Sequence, residues 1–203
     1  MKILFIGDSI TDAGRRDDPE GFGYGYVRMI RDHYMLEEPA AYPNIVNKGI
    51  AGNRITDLEA RWQKDVLDEN PDVISISIGI NDVWRQLDQP QIEQVYPLQY
   101  ASVFRSLLSQ AAIHTKAQIV LMEPTILEEN HESEGNKRLL PYVEIVKNMA
   151  VQYNAALVPE HSVFIEALKR KSGFSLTTDG VHLSSTGHLL MAKTWMKHAG
   201  VFP

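Results

Sequence analysis

The chain of 203 residues contains no cysteine. That excludes a disulfide, a thiolate nucleophile and any cysteine-ligated metal. It also lacks a basic run, and its formal net charge is −6. Nucleic acid and acidic membrane are therefore poor partners. No apolar stretch approaches the ~20 residues that cross a bilayer. No positive region followed by an apolar core and a cleavage site precedes the first strand-like residues. A cytoplasmic protein with no nucleic-acid or membrane partner is the expectation. Internal repeats, low-complexity tracts and linkers are absent too, so residues 1–203 read as one domain. A chain of this length buries about 70% of its unfolded surface. Its 44% hydrophobic and 23% charged residues are ordinary globular values.

What is present is an alternation of strand and helix signals. Ile3-Leu4-Phe5-Ile6 is a short apolar run closed by Gly7, the pattern of a buried strand. Further strands are expected at 44–47, 72–78, 118–122 and 155–158. The third is the strongest, with β-branched residues at alternate positions. Between them lie helical spacings: Tyr26, Val27, Ile30 and Tyr34; Leu58, Trp62, Val66 and Leu67; a long helix over 98–112; Leu140, Val143, Val146 and Ala150; Phe164, Ile165 and Leu168. A last helix starts near Ser184 or Ser185. The segment after Asp82, with Pro90 and Pro97, reads as a polar connection, and 128–136 as an acidic surface loop. Five strands alternating with helices predict a parallel sheet covered on both faces, an α/β fold.

Ligands of such sheets bind beyond the carboxyl ends of the strands. Four points of polar and glycine residues fall there or in a late loop: Ser9, Gly52, Asn81 and the pair Asp179/His182. Acyl transfer needs a nucleophile, a base, an orienter of the base and donors for an oxyanion. Ser9 is the one strand-end hydroxyl placed to attack; its plainer reading is a helix cap or turn residue. Histidine titrates near neutrality, which suits His182 as the base. Asp179, three residues earlier, is spaced to accept from Nδ1 while Nε2 faces Ser9. The Gly52 N–H, the Asn81 side-chain amide and the Ser9 N–H are the candidate oxyanion donors. Asp179-Gly180 is equally an ordinary turn, and Gly52 an ordinary glycine at positive φ. The other histidines, His188 among them, read as structural or exposed, and nothing suggests a metal.

Gly7-Asp8-Ser9-Ile10-Thr11, Gly49-Ile50-Ala51-Gly52-Asn53, Gly79-Ile80-Asn81-Asp82 and Asp179-Gly180-Val181-His182 occur in one order across nearly the whole chain. In these blocks the sequence resembles the SGNH hydrolases, the GDSL esterases and lipases. The resemblance implies a flavodoxin-like three-layer α/β/α fold with a five-stranded parallel sheet. It implies Ser9 as nucleophile, His182 as base and Asp179 as its partner, with Ser9, Gly52 and Asn81 forming the oxyanion hole and no cofactor. Leu183 stands where the family usually has proline, which is expected to loosen the approach of His182. Residues 47–53, 60–62 and 80–85 are similar to the acetylxylan-esterase-like branch. That points to short acyl esters, acetyl above all, on a sugar such as a xylo-oligosaccharide. Thioesters, lysophospholipids and lipids are the alternative substrates for the same residues. Asp8, Trp84 and Arg85 are the candidate substrate-binding residues. Related carbohydrate esterases often assemble, so a homo-oligomer is an expectation.

Overall fold

The computed structural model describes residues 1–170 and 173–201. Every residue of Val73–Ser77 is buried, and this strand, β3, lies at the middle of a parallel sheet. The others are β1 (Lys2–Gly7), β2 (Asn44–Gly49), β4 (Gln118–Met122) and β5 (Ala156–Val158), in the order β2-β1-β3-β4-β5. That is the flavodoxin-like order, and its switch point lies between β1 and β3.

The helices are α1 (Ser9–Asp12), α2 (Tyr26–Glu37), α3 (Ile55–Trp62), α4 (Ile80–Asp88), α5 (Pro97–His114), α6 (Glu134–Gln152), α7 (Glu160–Lys169) and α8 (Ser185–His198). They pack as two sets: α2 on α8 and α8 on α7; α3 on α5, α5 on α6 and α6 on α4. Phe5 of β1 meets Tyr26 of α2 edge-on at 5.8 Å and Trp195 of α8 at 5.2 Å. Inside the other set, Tyr100 of α5 reaches the Ile78 carbonyl beyond β3 at 3.0 Å. Sheet and two helical layers make the three-layer architecture. Among the described residues no helix is long and apolar enough to cross a membrane.

The register brings three strand ends to one rim. Gly7 pairs with Gly49 on one side and with Ser77 on the other. The chain is so crowded there that a Cβ on Gly7 would stand 2.3 Å from the Ser77 carbonyl oxygen, and one on Gly49 2.2 Å from the Asp12 nitrogen. Any side chain at either position would push the rim apart.

Two segments differ from the sequence reading. Residues 80–88, read as the start of a polar connection, form α4. Ile80, Val83, Trp84 and Leu87 have the i, i+3, i+4, i+7 spacing of a helix face, and the polar residues fill the other positions. Asn81 therefore sits in the first turn of a helix. The acidic loop ends earlier than expected: Ser133 caps α6 by accepting from the Asn136 N–H at 3.1 Å, so 134–136 are helical.

Candidate active site

Ser9 opens α1, a single helical turn. Asp8 caps it, Oδ1 accepting from the Ile10 N–H at 3.0 Å. The N–H groups at the start of a helix have no intrahelical partner, and the Ser9 N–H makes no hydrogen bond among the described residues. Asp8 itself is 2% exposed. Burial pushes its carboxyl up to about 7, against the Ile10 hydrogen bond and the charges of His182 and Arg61. A side chain so enclosed and already capping α1 offers a substrate no surface.

Asp179 and His182 lie on a loop between α7 and α8. His182 Nδ1 is 2.7 Å from Asp179 Oδ2, while Oδ1 accepts from the His182 N–H at 2.8 Å and the Val181 N–H at 3.0 Å. Desolvation works to raise the Asp179 carboxyl, but the imidazole and the two backbone donors outweigh it and hold it below the ordinary value. The loop is fixed without the family's proline. Thr177 and Leu183 form an antiparallel bridge, Thr178 N–H donates to the His182 carbonyl at 2.8 Å, and Ser184 N–H donates to the Leu176 carbonyl at 2.9 Å. The expected loosening at Leu183 is thus opposed by these backbone hydrogen bonds on either side of His182.

Gly52 lies in the loop after β2 at φ +81°, with open space where a side chain would stand. Its N–H also makes no hydrogen bond among the described residues. Asn81 is buried; Nδ2 donates to the Asn53 carbonyl at 3.0 Å, which engages one of its two hydrogens. Arg61 ties this region together. Its Nε donates to Asn53 Oδ1 at 2.8 Å, its terminal nitrogens to the Lys48 carbonyl at 2.8 Å and the Gly7 carbonyl at 3.0 Å, and it pairs with Asp65 at 2.9 Å. One guanidinium thus joins the ends of β1 and β2 to the 50–54 loop. Asn47 does the same from the sheet: Nδ2 donates to the Thr11 and Phe22 carbonyls, each at 2.7 Å, and Oδ1 accepts from the Gly49 N–H at 2.8 Å.

Ser9 and His182 line one cavity of about 640 Å³, together with Asp12, Arg16, Tyr24 and His188. No direct hydrogen bond joins Ser9 to His182. Trp84 does not line this cavity. Its ring stands edge-on to the His182 ring at 5.8 Å and, with Asp179 and Gly180, faces a separate hollow of about 210 Å³. Arg85 stacks over Trp84 at 4.4 Å and pairs with Asp88. Trp84 thus touches the histidine without lining Ser9's cavity, and Arg85 reaches the site only through Trp84.

Three more carboxyls are buried nearby. Asp82 accepts from the Ile55 N–H at the start of α3, at 3.1 Å, and burial pushes it up to about 7, with the Asp8 charge adding to the shift. Glu160, the first residue of α7, has both oxygens buried without a hydrogen-bond partner. Burial first, and the Glu123 charge second, push it well above the ordinary value. Glu123 is raised by burial as well, although Ser162 donates to it. Among the described residues no group of three His, Cys, Asp or Glu is arranged to hold a metal ion.

A family model described as GDSL-like Lipase/Acylhydrolase matches residues 5–190. An acetylxylan esterase from Geobacillus stearothermophilus is 39% identical over 206 aligned residues, covering 98% of this chain and 94% of its own. The crystal structure of an acetylxylan esterase from that organism superposes with a TM-score of 0.91 at 38% identity, over 99% of this chain and 94% of the other. Catalytic mutants of that esterase, with a serine, an aspartate or a histidine replaced by alanine, have also been solved. An alpha/beta hydrolase enzyme from the metagenome of Lake Arreo, Spain, superposes with a TM-score of 0.90 at 33% identity, over 97% and 93% of the two chains.

Proposed function

Since the chain belongs to the GDSL-like lipase/acylhydrolase family and is a carboxylic ester hydrolase, we propose that it removes acetyl groups from xylo-oligosaccharides through an acyl-enzyme on Ser9. The observation that carries this is the convergence of Ser9 and His182 on one cavity, with Asp179 on the far nitrogen of the imidazole. The similarity to an acetylxylan esterase supports the acetyl group and the sugar.

In this reading Ser9 Oγ attacks the acetyl carbonyl carbon as its proton passes to His182 Nε2. Asp179 keeps the other proton on Nδ1. The negative oxygen of the tetrahedral intermediate takes hydrogen bonds from the Ser9 N–H, the Gly52 N–H and the second hydrogen of Asn81 Nδ2. The bond to the sugar oxygen then breaks, and His182 returns its proton to that oxygen. Water repeats the sequence on the acyl-enzyme and releases acetate. The Ser9–His182 contact is left to form with substrate, since catalytic hydrogen bonds are often long without it. Residues 1–203 act as one domain in this scheme, with no cofactor.

Comparing kcat/KM for acetyl, butyryl and octanoyl esters with acetylated xylo-oligosaccharides tests the substrate. A pocket separates acyl homologues by only about 1–3 kcal/mol per methylene. The acetylated sugar should outrun octanoyl esters and acyl thioesters. An advantage of tenfold or more for octanoyl esters or acyl-CoA would replace this reading with a lipase or thioesterase working through the same residues.

A further inference from the structure

The cavity that His182 lines is also lined by a second imidazole that the mechanism above does not use. His188 lies in the first turn of α8. The N-cap of α2, Gly25, has no side chain to cap with, and the Tyr26 N–H donates instead to His188 Nδ1 at 3.2 Å. The ring lies so close on the Gly25 backbone that a Cβ there would stand 2.7 Å from Cε1. His188 therefore has its orientation set by α2.

That contact also fixes the tautomer. Nδ1 accepts, so the neutral ring carries its proton on Nε2. Burial, reinforced by nearby His182, lowers the ring to about 4, which keeps it neutral near pH 7. Nε2 makes no hydrogen bond among the described residues, although the residue lines the cavity. Besides Ser9 and His182, the polar residues lining the cavity are Ser185, Arg16, which forms no ion pair among the described residues, and the carboxylates of Asp12 and Asp17; the exposed Tyr24 ring adds an aromatic face. Two carboxylates against one guanidinium disfavour an anionic ligand. Single donors and acceptors beside an aromatic face suit a neutral polyhydroxy compound.

Building on the deacetylation proposed above, we infer that the Nε2–H of His188 is a fixed donor to an oxygen of the leaving sugar, making His188 a specificity-determining residue on the alcohol side. It recognises the sugar and takes no proton from Ser9.

Two variants separate its two nitrogens. His188→Asn keeps an acceptor within reach of the Tyr26 N–H and removes the donor at the Nε2 position; His188→Gln places a donor near that position and gives up the cap. The readout is the ratio of kcat/KM for an acetylated xylo-oligosaccharide to kcat/KM for p-nitrophenyl acetate, whose phenol carries no neighbouring hydroxyls. The ratio should fall about tenfold in His188→Asn, mostly through KM, the size of one lost neutral hydrogen bond, and recover in His188→Gln. An unmoved ratio, with or without an equal loss on both esters, overturns the inference. Should His188→Asn fail to fold, nitrogen NMR of the intact wild-type enzyme decides. Adding deacetylated xylobiose should shift Nε2 and leave Nδ1 an acceptor, and an unshifted Nε2 overturns the role. A wild-type enzyme that ignores acetylated sugars sinks this inference and the proposed substrate together, whereas a normal wild type with an unmoved ratio sinks His188 alone.

Discussion

Ser9→Ala should lower kcat by about 10⁴- to 10⁶-fold, the loss typical of removing a nucleophile, with the fold intact. The Ser9 hydroxyl makes no hydrogen bond among the described residues, so the described structure does not depend on it. Asp8, not Ser9, caps α1, and alanine is a good helix residue at the position after the cap. The Ser9 N–H, the candidate oxyanion donor, is kept in the variant. What disappears is the one atom proposed to form the acyl bond. Turnover of p-nitrophenyl acetate together with far-UV circular dichroism checks the result. A variant that retained a tenth of the wild-type kcat would rule out the serine mechanism.

Asp179→Asn should cost about 10³- to 10⁴-fold in kcat, by comparison with the same change in other triads. The geometry explains why so small a substitution would do so much. Asp179 Oδ1 already accepts from two backbone N–H groups, those of Val181 and His182. The oxygen of an asparagine must stay on that side to satisfy them. Its NH₂ group is then turned toward His182 Nδ1 and donates where the carboxylate accepted. The imidazole must answer by moving its proton to Nε2, and a protonated Nε2 cannot take the proton of Ser9. Nitrogen NMR of His182 should report the change of tautomer alongside the loss of rate. Retention of more than a tenth of kcat would mean that Asp179 does not govern the imidazole.

Much of this was legible in the chain because the signals are local. The apolar run 3–6 ending at Gly7 marks β1, and the Asp179-to-His182 spacing brings carboxylate and imidazole together within one turn. What stayed hidden depends on distant partners. Arg61 falls in the 60–62 stretch that resembles the acetylxylan-esterase-like branch, but nothing local reveals that it reaches the carbonyls of Gly7 and Lys48. His188 reads as structural or exposed, and only the packing of α8 against α2 shows that its ring caps the Tyr26 N–H. Trp84 reads as a candidate substrate-binding residue, but α4 turns its ring edge-on to His182 and away from the lining of Ser9's cavity. Asn47, two residues before Gly49, carried an Asx-turn signal that would have found its bond to the Gly49 N–H.

The buried carboxyls have a thermodynamic side. Asp8 and Asp82 keep their protons up to about pH 7 in the folded chain, chiefly through burial, whereas unfolded they ionise near the ordinary 3.8. Between those limits the folded state binds more protons than the unfolded one, so raising the pH weakens the fold. Glu160 and Glu123 pull the same way. His188 and His161, held neutral mainly by burial, pull against them only below about 6.5, where the unfolded imidazoles take up protons. Above that the opposition ends, and calorimetry should find a lower Tm at pH 8 than at pH 6.5; a Tm that rises over this interval would mean the carboxyls are already ionised in the fold. The buried carboxyls thus set the upper edge of the pH range in which the fold is most stable.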